Sequence, residues 1–599
     1  MFKFSKRVRN RYFINILFFT FLVLLASGFM PHVNAEELEN NVTDDIDLSV
    51  KDNEVNSLMN SIVPNGNSFK DIQDAINRAN EGDTVILNQK EYFGSGEQIY
   101  LNKQVNIHGD YNGQMPVLNA LNLNRVLLVE EGVSNLKIDN CKFVNGNITL
   151  GGGAILIRGV NVTIENCYFE ANEARGGGAI YTEYPGEIYN GMGDYLKIYN
   201  SYFYKNNAHI AAGALGIYGN HTEIRNCTFE ENFVDNKYKE QSNVYGGAIQ
   251  IGMDNYYLVS SCVNCTFINN KATSSVKEYS SHGGACCVRD GITFDGCYFI
   301  GNIADQGGAL TYHSAGNVLD CYFENNTALS LYGGALSTGF NVTDMILAIE
   351  DCEFRGNDAP IGGAVHLIGE EVTLDNCKFY ENIATLNGGA IYIDARSTFI
   401  KNSLIGNNTA KVNGGGVYIN SDSTSIENNQ FIGNKAIPST SKLNDGLGGA
   451  IFINGTNADI KNNILNYNMA RNGSAIYIGK LANKIQITGN YMSNNQAWVY
   501  LLPVILSKDV IFTGESIRIS SVIYGGNNIG EAFNDEVSNA IYSNADPSTV
   551  FINGVNPVNG ANMDFLYQDS REHLIEIGIK VIYEDGTVIA DFVDYSDIH

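Results

Sequence analysis

The chain has 599 residues, of which 44% are hydrophobic and 17% charged, and it carries 62 glycines against 9 prolines. Such a chain is too long for one ordinary globular domain and can bury a sizeable core. Its formal net charge of −27 excludes the usual nucleic-acid binder, because phosphate contacts need clustered Lys and Arg. The same charge repels acidic polysaccharides overall, although a local basic patch could still hold one; its plain reading is solubility on an exposed surface.

The N-terminus reads as a signal peptide over residues 1–35. Lys3, Lys6, Arg7, Arg9 and Arg11 precede an apolar run from Phe13 to Met30, and Val33-Asn34-Ala35 supplies small residues for cleavage. An uncleaved anchor is the alternative, since the run approaches the length that spans a bilayer. Either way the chain is expected outside the cell or on its surface, touching membrane only through this segment. Residues 36–56 carry eight acidic residues and one Lys, so 36–64 is expected to be an acidic disordered linker. Phe69, Ile72, Ile76 and Ala79 then recur at helical spacing, with Ser68 as N-cap and Gly82 as stop. A short amphipathic helix there, followed by strands such as Thr84–Leu87 and Gln104–His108, would cover an otherwise open sheet end.

The middle of the chain is an internal repeat. IENCYFEANEARGGGAIYT, LDNCKFYENIATLNGGAIYI and IENNQFIGNKAI followed by GGAIFI share one template: I-x-N-C-x-F-x-x-N-x-A, a variable gap, then G-G-A-I-x-I. The Phe position runs from Phe143 through Phe379 and on to Ile405, Phe431, Leu465 and Met492, about thirteen units. Each unit holds three short alternating segments separated by Asn or Gly. Alternation gives a strand one buried face, and Asn and Gly tolerate the left-handed backbone that sharp corners need. One unit cannot bury its own apolar face and must stack on the next. The expected fold is all-β: a right-handed parallel β-helix over 65–502 with an N-terminal capping helix.

The paired G-G-A-I and F-x-x-N motifs resemble the repeats of chlamydial polymorphic membrane proteins and of adhesin-like proteins of methanogenic archaea, over roughly residues 65–500. The resemblance implies a surface-exposed β-helix with an adhesive role. About 97 residues follow Leu502, too few for an outer-membrane barrel, so the archaeal arrangement fits better. Within 503–599, Ser516–Tyr524, His573–Tyr583 and Thr587–Val593 alternate like strands between Gly/Asn/Pro-rich loops, and TGESIRISSVIYGG is similar to Ig-like repeats of surface proteins. A small β-sandwich, Ig-like, is expected there.

Candidate sites lie on the repeat columns. Eight cysteines, Cys141, Cys167, Cys227, Cys265, Cys297, Cys321, Cys352 and Cys377, share one column. Parallel stacking holds their Cβ atoms near the strand spacing, too far for disulfides, so they read as an inward ladder of free thiols. The outward position after G-G-A ends in Tyr392, Tyr418, Phe452 and Tyr477, expected as one aromatic stripe. Such a stripe can hold sugar rings or a partner protein, or it can simply stabilise the sheet. Enzymes on this architecture need clustered outward carboxylates or a base beside acidic metal ligands. In the column before the corner Asn, Glu350 and Asp375 are the neighbouring acidic pair, with no base recognised beside them. The Asp-Asp, Gly-His-Gly and Arg-x-Lys set of pectin hydrolases is missing, as are calcium-binding G-G-x-G-x-D repeats. The chain is therefore expected to be no enzyme and to use no metal or cofactor. It should be a monomeric adhesin-like protein binding glycans or proteins of other cells through the helix face and corner loops. The alternatives are a structural wall or stalk component, or a carbohydrate-active β-helix enzyme, a lyase or hydrolase.

Overall fold

The computed structural model describes residues 60–497 apart from 184–190, 253–259, 290, 340–344, 439–444 and single positions or pairs between 472 and 494; beyond 503 it describes the backbone of the strands between Val504 and Ala590. The expected signal peptide and the linker up to residue 59 lie outside the described residues. The linker's expected end at 64 shifts, because Ser61–Ile62 already pairs in parallel with Thr84–Val85.

The helix forms at Phe69–Arg78 with Ser68 as N-cap. The Ser68 hydroxyl accepts from the Asp71 N–H at 3.1 Å, and the Asp71 carboxylate accepts from the Ser68 N–H at 3.0 Å, a reciprocal capping box. Phe69, Ile72, Ala75 and Ile76 are fully buried, so this face joins the core of the first coils.

One coil illustrates the rest. Asn376 (φ 50°) turns the chain into Lys378–Tyr380; Glu381 (φ 57°) turns it into Ile383–Ala384; Gly388 (φ 68°) turns it into the long strand Ile391–Lys401. Each corner thus needs a left-handed residue, which Asn and Gly adopt most readily. The second glycine of the pair is required for a different reason. A Cβ on Gly389 would sit 2.0 Å from the Gly415 carbonyl oxygen of the next coil. Coils stack in register: Phe354 on Phe379 on Ile405, Ala384 on Ala410, and Ile391 on Val417. The result is three long parallel sheets of 31, 16 and 14 strands, a right-handed parallel β-helix as parallel crossovers favour.

The sheet that carries the Phe column has 16 strands, more than the roughly thirteen repeats read from sequence. Tyr92 and Leu118 precede Phe143 in that column, and Tyr524 follows Met492. The parallel pairing also passes residue 503, where a separate sandwich was expected. Val504–Leu506, Ile517–Ser520 and Ile523–Gly525 pair in parallel with the preceding coil, and Val550–Ile552 pairs onto Ile517–Ile519. Antiparallel pairing is confined to a three-stranded sheet of Asn562–Ser570, Leu574–Ile582 and Val588–Ala590.

Three buried columns hold the coils together. Phe143 through Phe379 stack ring on ring, with centroids 4.6 to 5.0 Å apart. An asparagine ladder runs from Asn172 to Asn495. In it Asn382 Nδ2 donates to the Phe354 carbonyl at 3.0 Å and to Asn408 Oδ1 at 2.9 Å. The eleven cysteines are buried and form no disulfide. In their column Ser403 and Asn429 take over the same bond to the coil below: Cys377 N–H donates to Ser403 Oγ and Ser403 N–H to Asn429 Oδ1.

Candidate functional site: a concave corner

The site follows from the Gly-Gly corner. After G-G-A the residues alternate, and Tyr392, between the buried Ile391 and Ile393, points outward as alternation requires. Outward does not mean exposed here. A Cβ on Gly388, Gly414 or Gly473 would lie 3.0 to 3.1 Å from the Cβ of Tyr392, Tyr418 or Tyr477. The outward column therefore packs down onto the bare glycine column, and the two arms of the chain meet at a concave angle. Gln250, Cys287, Thr311, Ser337, His366 and Phe452 of this column are all buried, while Tyr392, Tyr418 and Tyr477 are half-buried.

The C-terminal stretch of the corner is a ladder of rings. Tyr392, Tyr418, Phe452 and Tyr477 stack with centroids 4.9, 4.6 and 5.4 Å apart and planes within 11° of parallel. His366 stacks on Tyr392 at 5.1 Å, and Tyr332, from the other arm of the corner, stacks on His366 at 4.2 Å. The ring faces are spent on each other, so the stripe offers edges and hydroxyls rather than the flat platform that sequence suggested. Burial pushes the Tyr392 and Tyr418 phenols up, with the Asp394 charge adding to both.

The preceding stretch is polar. Tyr245, His282 and Gln306 occupy successive coils just before their Gly-Gly pairs, and Gln250, Cys287, Thr311 and Ser337 face them from the other arm. His282 lies 5.4 Å from the Tyr245 ring and 5.5 Å from the His313 ring, centroid to centroid. The Arg289 guanidinium sits over Tyr245, 4.3 Å from its centroid. The other ring nitrogen of His282, Nε2, is 2.9 Å from Ser280 Oγ. Gln306 spans the corner: its Nε2 donates to Ser337 Oγ at 3.1 Å and to the Thr338 carbonyl at 2.8 Å, which fixes which end of the amide is oxygen.

Buried polar atoms without a hydrogen-bond partner gather in this corner. They include Gln250 Oε1, His282 Nδ1, Gln306 Oε1, His366 Nδ1 and Asn387 Oδ1. Such atoms are rare in folded proteins, and each marks strain, function, or a bound water or other group. Both imidazoles are held uncharged. Burial, then the His313 and Arg289 charges, push His282 down to about 3, and burial pushes His366 down to about 3.

The acidic column behaves differently. Glu350 and Asp375 are register neighbours, but Lys401 pairs with Asp375 at 3.1 Å and Lys461 with Glu427 at 3.3 Å. Lys401, which the sequence already places next in this column, is thus part of a solvated ion-pair ladder worth little on an open face. Burial, then Asp375, pushes the Glu350 carboxyl up. Among the described residues no three His, Cys, Asp or Glu side chains converge as a metal site, and no helix is long and apolar enough to cross a membrane.

His282, Arg289, His313 and Gln306 escaped sequence reasoning. A signal was there: the column that is aromatic from Tyr392 onward reads Gln250, Cys287, Thr311, Ser337, His366 before it. Burial of that column hid its meaning, since it depends on the angle of the corner and not on alternation.

The sequence matches the right-handed β-helix region over residues 119–328 and 338–502, more than half of the chain. It is 28% identical over 265 residues to metabotropic glutamate receptor-like protein R of Dictyostelium discoideum, a match covering 42% of this chain and 14% of that protein. The chain therefore spans about one-seventh of that relative's length. Among solved structures, it aligns with an alginate lyase complex at 12% identity and TM-score 0.34, covering 73% of this chain and 85% of the other. A PL6 alginate lyase with a trisaccharide aligns at 13% identity and TM-score 0.32, covering 83% and 91%. A further PL6 alginate lyase aligns at 10% identity and TM-score 0.19, covering 82% and 100%. The expectation that this chain is no enzyme does not stand beside these neighbours, which are named as lyases and are alike to it in fold alone. By its sequence match and its coils, the chain belongs to the right-handed β-helix family.

Proposed function

We propose that the protein is carbohydrate-active and holds a polysaccharide lengthwise in the concave corner. The observation that carries this is the run of buried, unpartnered polar atoms from Gln250 to Asn387, flanked by half-buried rings and a guanidinium. Ligand sites of this kind combine apolar walls with a few convergent polar groups. The rims of Tyr392, Tyr418, Phe452 and Tyr477 serve as the binding stretch. Tyr245, His282 and His313 form the reacting stretch, with Arg289 stacked over Tyr245: two imidazoles and a phenol can pass protons. Residues in one column lie one coil apart, so a linear polymer laid along the corner meets a different side chain at each coil of the reacting stretch and a ring at each coil of the binding stretch.

The test is a screen of soluble polysaccharides for new chain ends, with His282→Ala and Tyr418→Ser as probes. Cleavage of one polymer, lost in His282→Ala and weakened in Tyr418→Ser, is the expected result. No cleavage and no binding of any polysaccharide would refute the reading. Glycan binding without cleavage favours the role that the resemblance to adhesin-like repeats implies, attachment to glycans at a cell surface through the same aromatic rims.

A further inference from the structure

Three of the unpartnered atoms in the corner, the amide oxygens, have a common chemistry. Gln250 Oε1, Gln306 Oε1 and Asn387 Oδ1 are amide oxygens, which accept hydrogen bonds and cannot donate them. For Gln306 the assignment is forced, because only the NH₂ end can donate to the Thr338 carbonyl. His282 and His366, one coil before Gln306 and one coil before Asn387, add no positive charge, being pushed down to about 3 mainly by burial. Arg289 is committed over the Tyr245 ring. A carboxylate or sulfate entering this stretch would bring acceptors against acceptors. A sugar hydroxyl brings a donor to each.

We infer that the corner selects neutral, hydroxyl-bearing sugar units over uronate or sulfated ones. The inference rests on the corner being the glycan site. It also accounts for the burial. The three oxygens are closed off from solvent, so a ligand reaches them only by displacing half-buried side chains at the rim. A buried acceptor without a donor is destabilising, so the closed corner gains on opening to a ligand that donates.

Calorimetric titration of the full chain with a neutral gluco-oligosaccharide and a size-matched galacturono-oligosaccharide tests this. The neutral sugar should bind at least about tenfold more tightly, a difference of about 1.4 kcal/mol. Gln250→Met removes one acceptor at nearly constant volume. It should weaken the neutral sugar about fivefold to tenfold without lowering the melting temperature, since it deletes a group that was unsatisfied. Gln306→Met should do the same to binding, although it also loses the bonds to Ser337 and Thr338. Tighter binding of the uronate, or unchanged affinity in Gln250→Met, overturns the inference while leaving the corner as a glycan site. If neither sugar binds and Tyr418→Ser changes nothing, the glycan reading itself falls. A crystal structure with ordered water on all three oxygens, in a protein with no preference between the sugars, assigns the gap to internal water and overturns the inference too.

Discussion

Asn382 lets the asparagine ladder be tested at one rung. Its Nδ2 donates to the Phe354 carbonyl and to Asn408 Oδ1, and its Oδ1 accepts from Asn357 N–H at 3.0 Å and Asn357 Nδ2 at 2.9 Å. Asn382→Ala deletes four buried hydrogen bonds at once. At roughly 1 kcal/mol each, more where a partner is left bare, the local cost is about 3–5 kcal/mol. Coils interact chiefly with their neighbours, so the damage should stay near the rung and a single global unfolding energy would misreport it. Hydrogen exchange read on peptides from residues 354–410 is the suitable assay. Protection there should drop by about two to three powers of ten, with coils before Cys297 little changed. Asn382→Asp sharpens the test. It keeps two accepted bonds but its carboxylate cannot donate, and burial raises its folded-state pKa above the unfolded value of about 3.9. The folded chain then binds the extra proton, so stability falls as pH rises through that window. Asn382→Asp should therefore be worse at pH 7 than near pH 4. Asn402→Gly, at an exposed left-handed corner (φ 53°), is the control and should cost about 1 kcal/mol or less. If Asn382→Ala leaves protection within about threefold of the parent, the ladder is not what fixes the register of the coils.

Gly389→Ala should fail to accumulate as folded protein, because its Cβ would lie 2.0 Å from the Gly415 carbonyl, whereas Gly406→Ala, 3.3 Å from a Tyr380 ring carbon, should fold; circular dichroism of the purified pair decides. The Cys227-to-Cys377 column is buried, so a thiol reagent should leave native protein unlabelled and modify these cysteines in denaturant; rapid labelling of native protein would show that the coils open. His282 is held uncharged in the fold at about 3, below the unfolded value of about 6.5, so the unfolded chain binds more protons between those values and stability should fall as pH drops from about 6.5 toward 3. His282→Asn should flatten that acid limb in a melting-temperature series, and an unchanged limb would mean His282 is not its source.

The core was legible because its columns repeat. In LDNCKFYENIATLNGGAIYI the inward residues, among them Cys377, Phe379, Asn382, Ala384, Ile391 and Ile393, are fixed by alternation and by the corner residues between. The outer coils were less legible. Tyr92 and Leu118 fill the same seat as Phe379, yet without Cys or Asn at their fixed offsets nothing in the sequence aligned them. The end of the helix was missed for a related reason: Ile517–Ser520 reads as an alternating strand whether it pairs in parallel on a coil or antiparallel in a sandwich. The site was half legible. The aromatic run was visible, but its half-burial was not, because alternation says which way Tyr392 points and nothing about the arm that folds over it. His282 and Gln306 sit in the variable gap before Gly-Gly, where the template has no consensus and so no expectation.

Uniform and varied columns in one helix separate stability from recognition. Stacked parallel strands place like positions one above another, so a column that serves only the fold does best with one residue type, each ring or amide satisfied by the next. The Phe and Asn columns do this over most of the helix, with ring planes within 7° of parallel between Phe143 and Phe379. The corner column does not. It passes from Leu156 and Tyr181 through Gly216, Gln250, Cys287, Thr311 and Ser337 to His366 and four aromatic rungs, and it leaves Gln250 Oε1 and His366 Nδ1 without partners. A buried column that changes side chain at nearly every coil gives up the stacking its neighbours enjoy, and each bare acceptor adds to the cost. Nothing in the backbone compels this, since the same Gly-Gly corner accepts a regular ladder a few coils later at Tyr392, Tyr418 and Phe452. The irregularity is local to Gln250–His366, and the coils around it are as well registered as any. That combination, a rigid frame with a local gap in its hydrogen bonding, is what a corner that opens to a ligand requires.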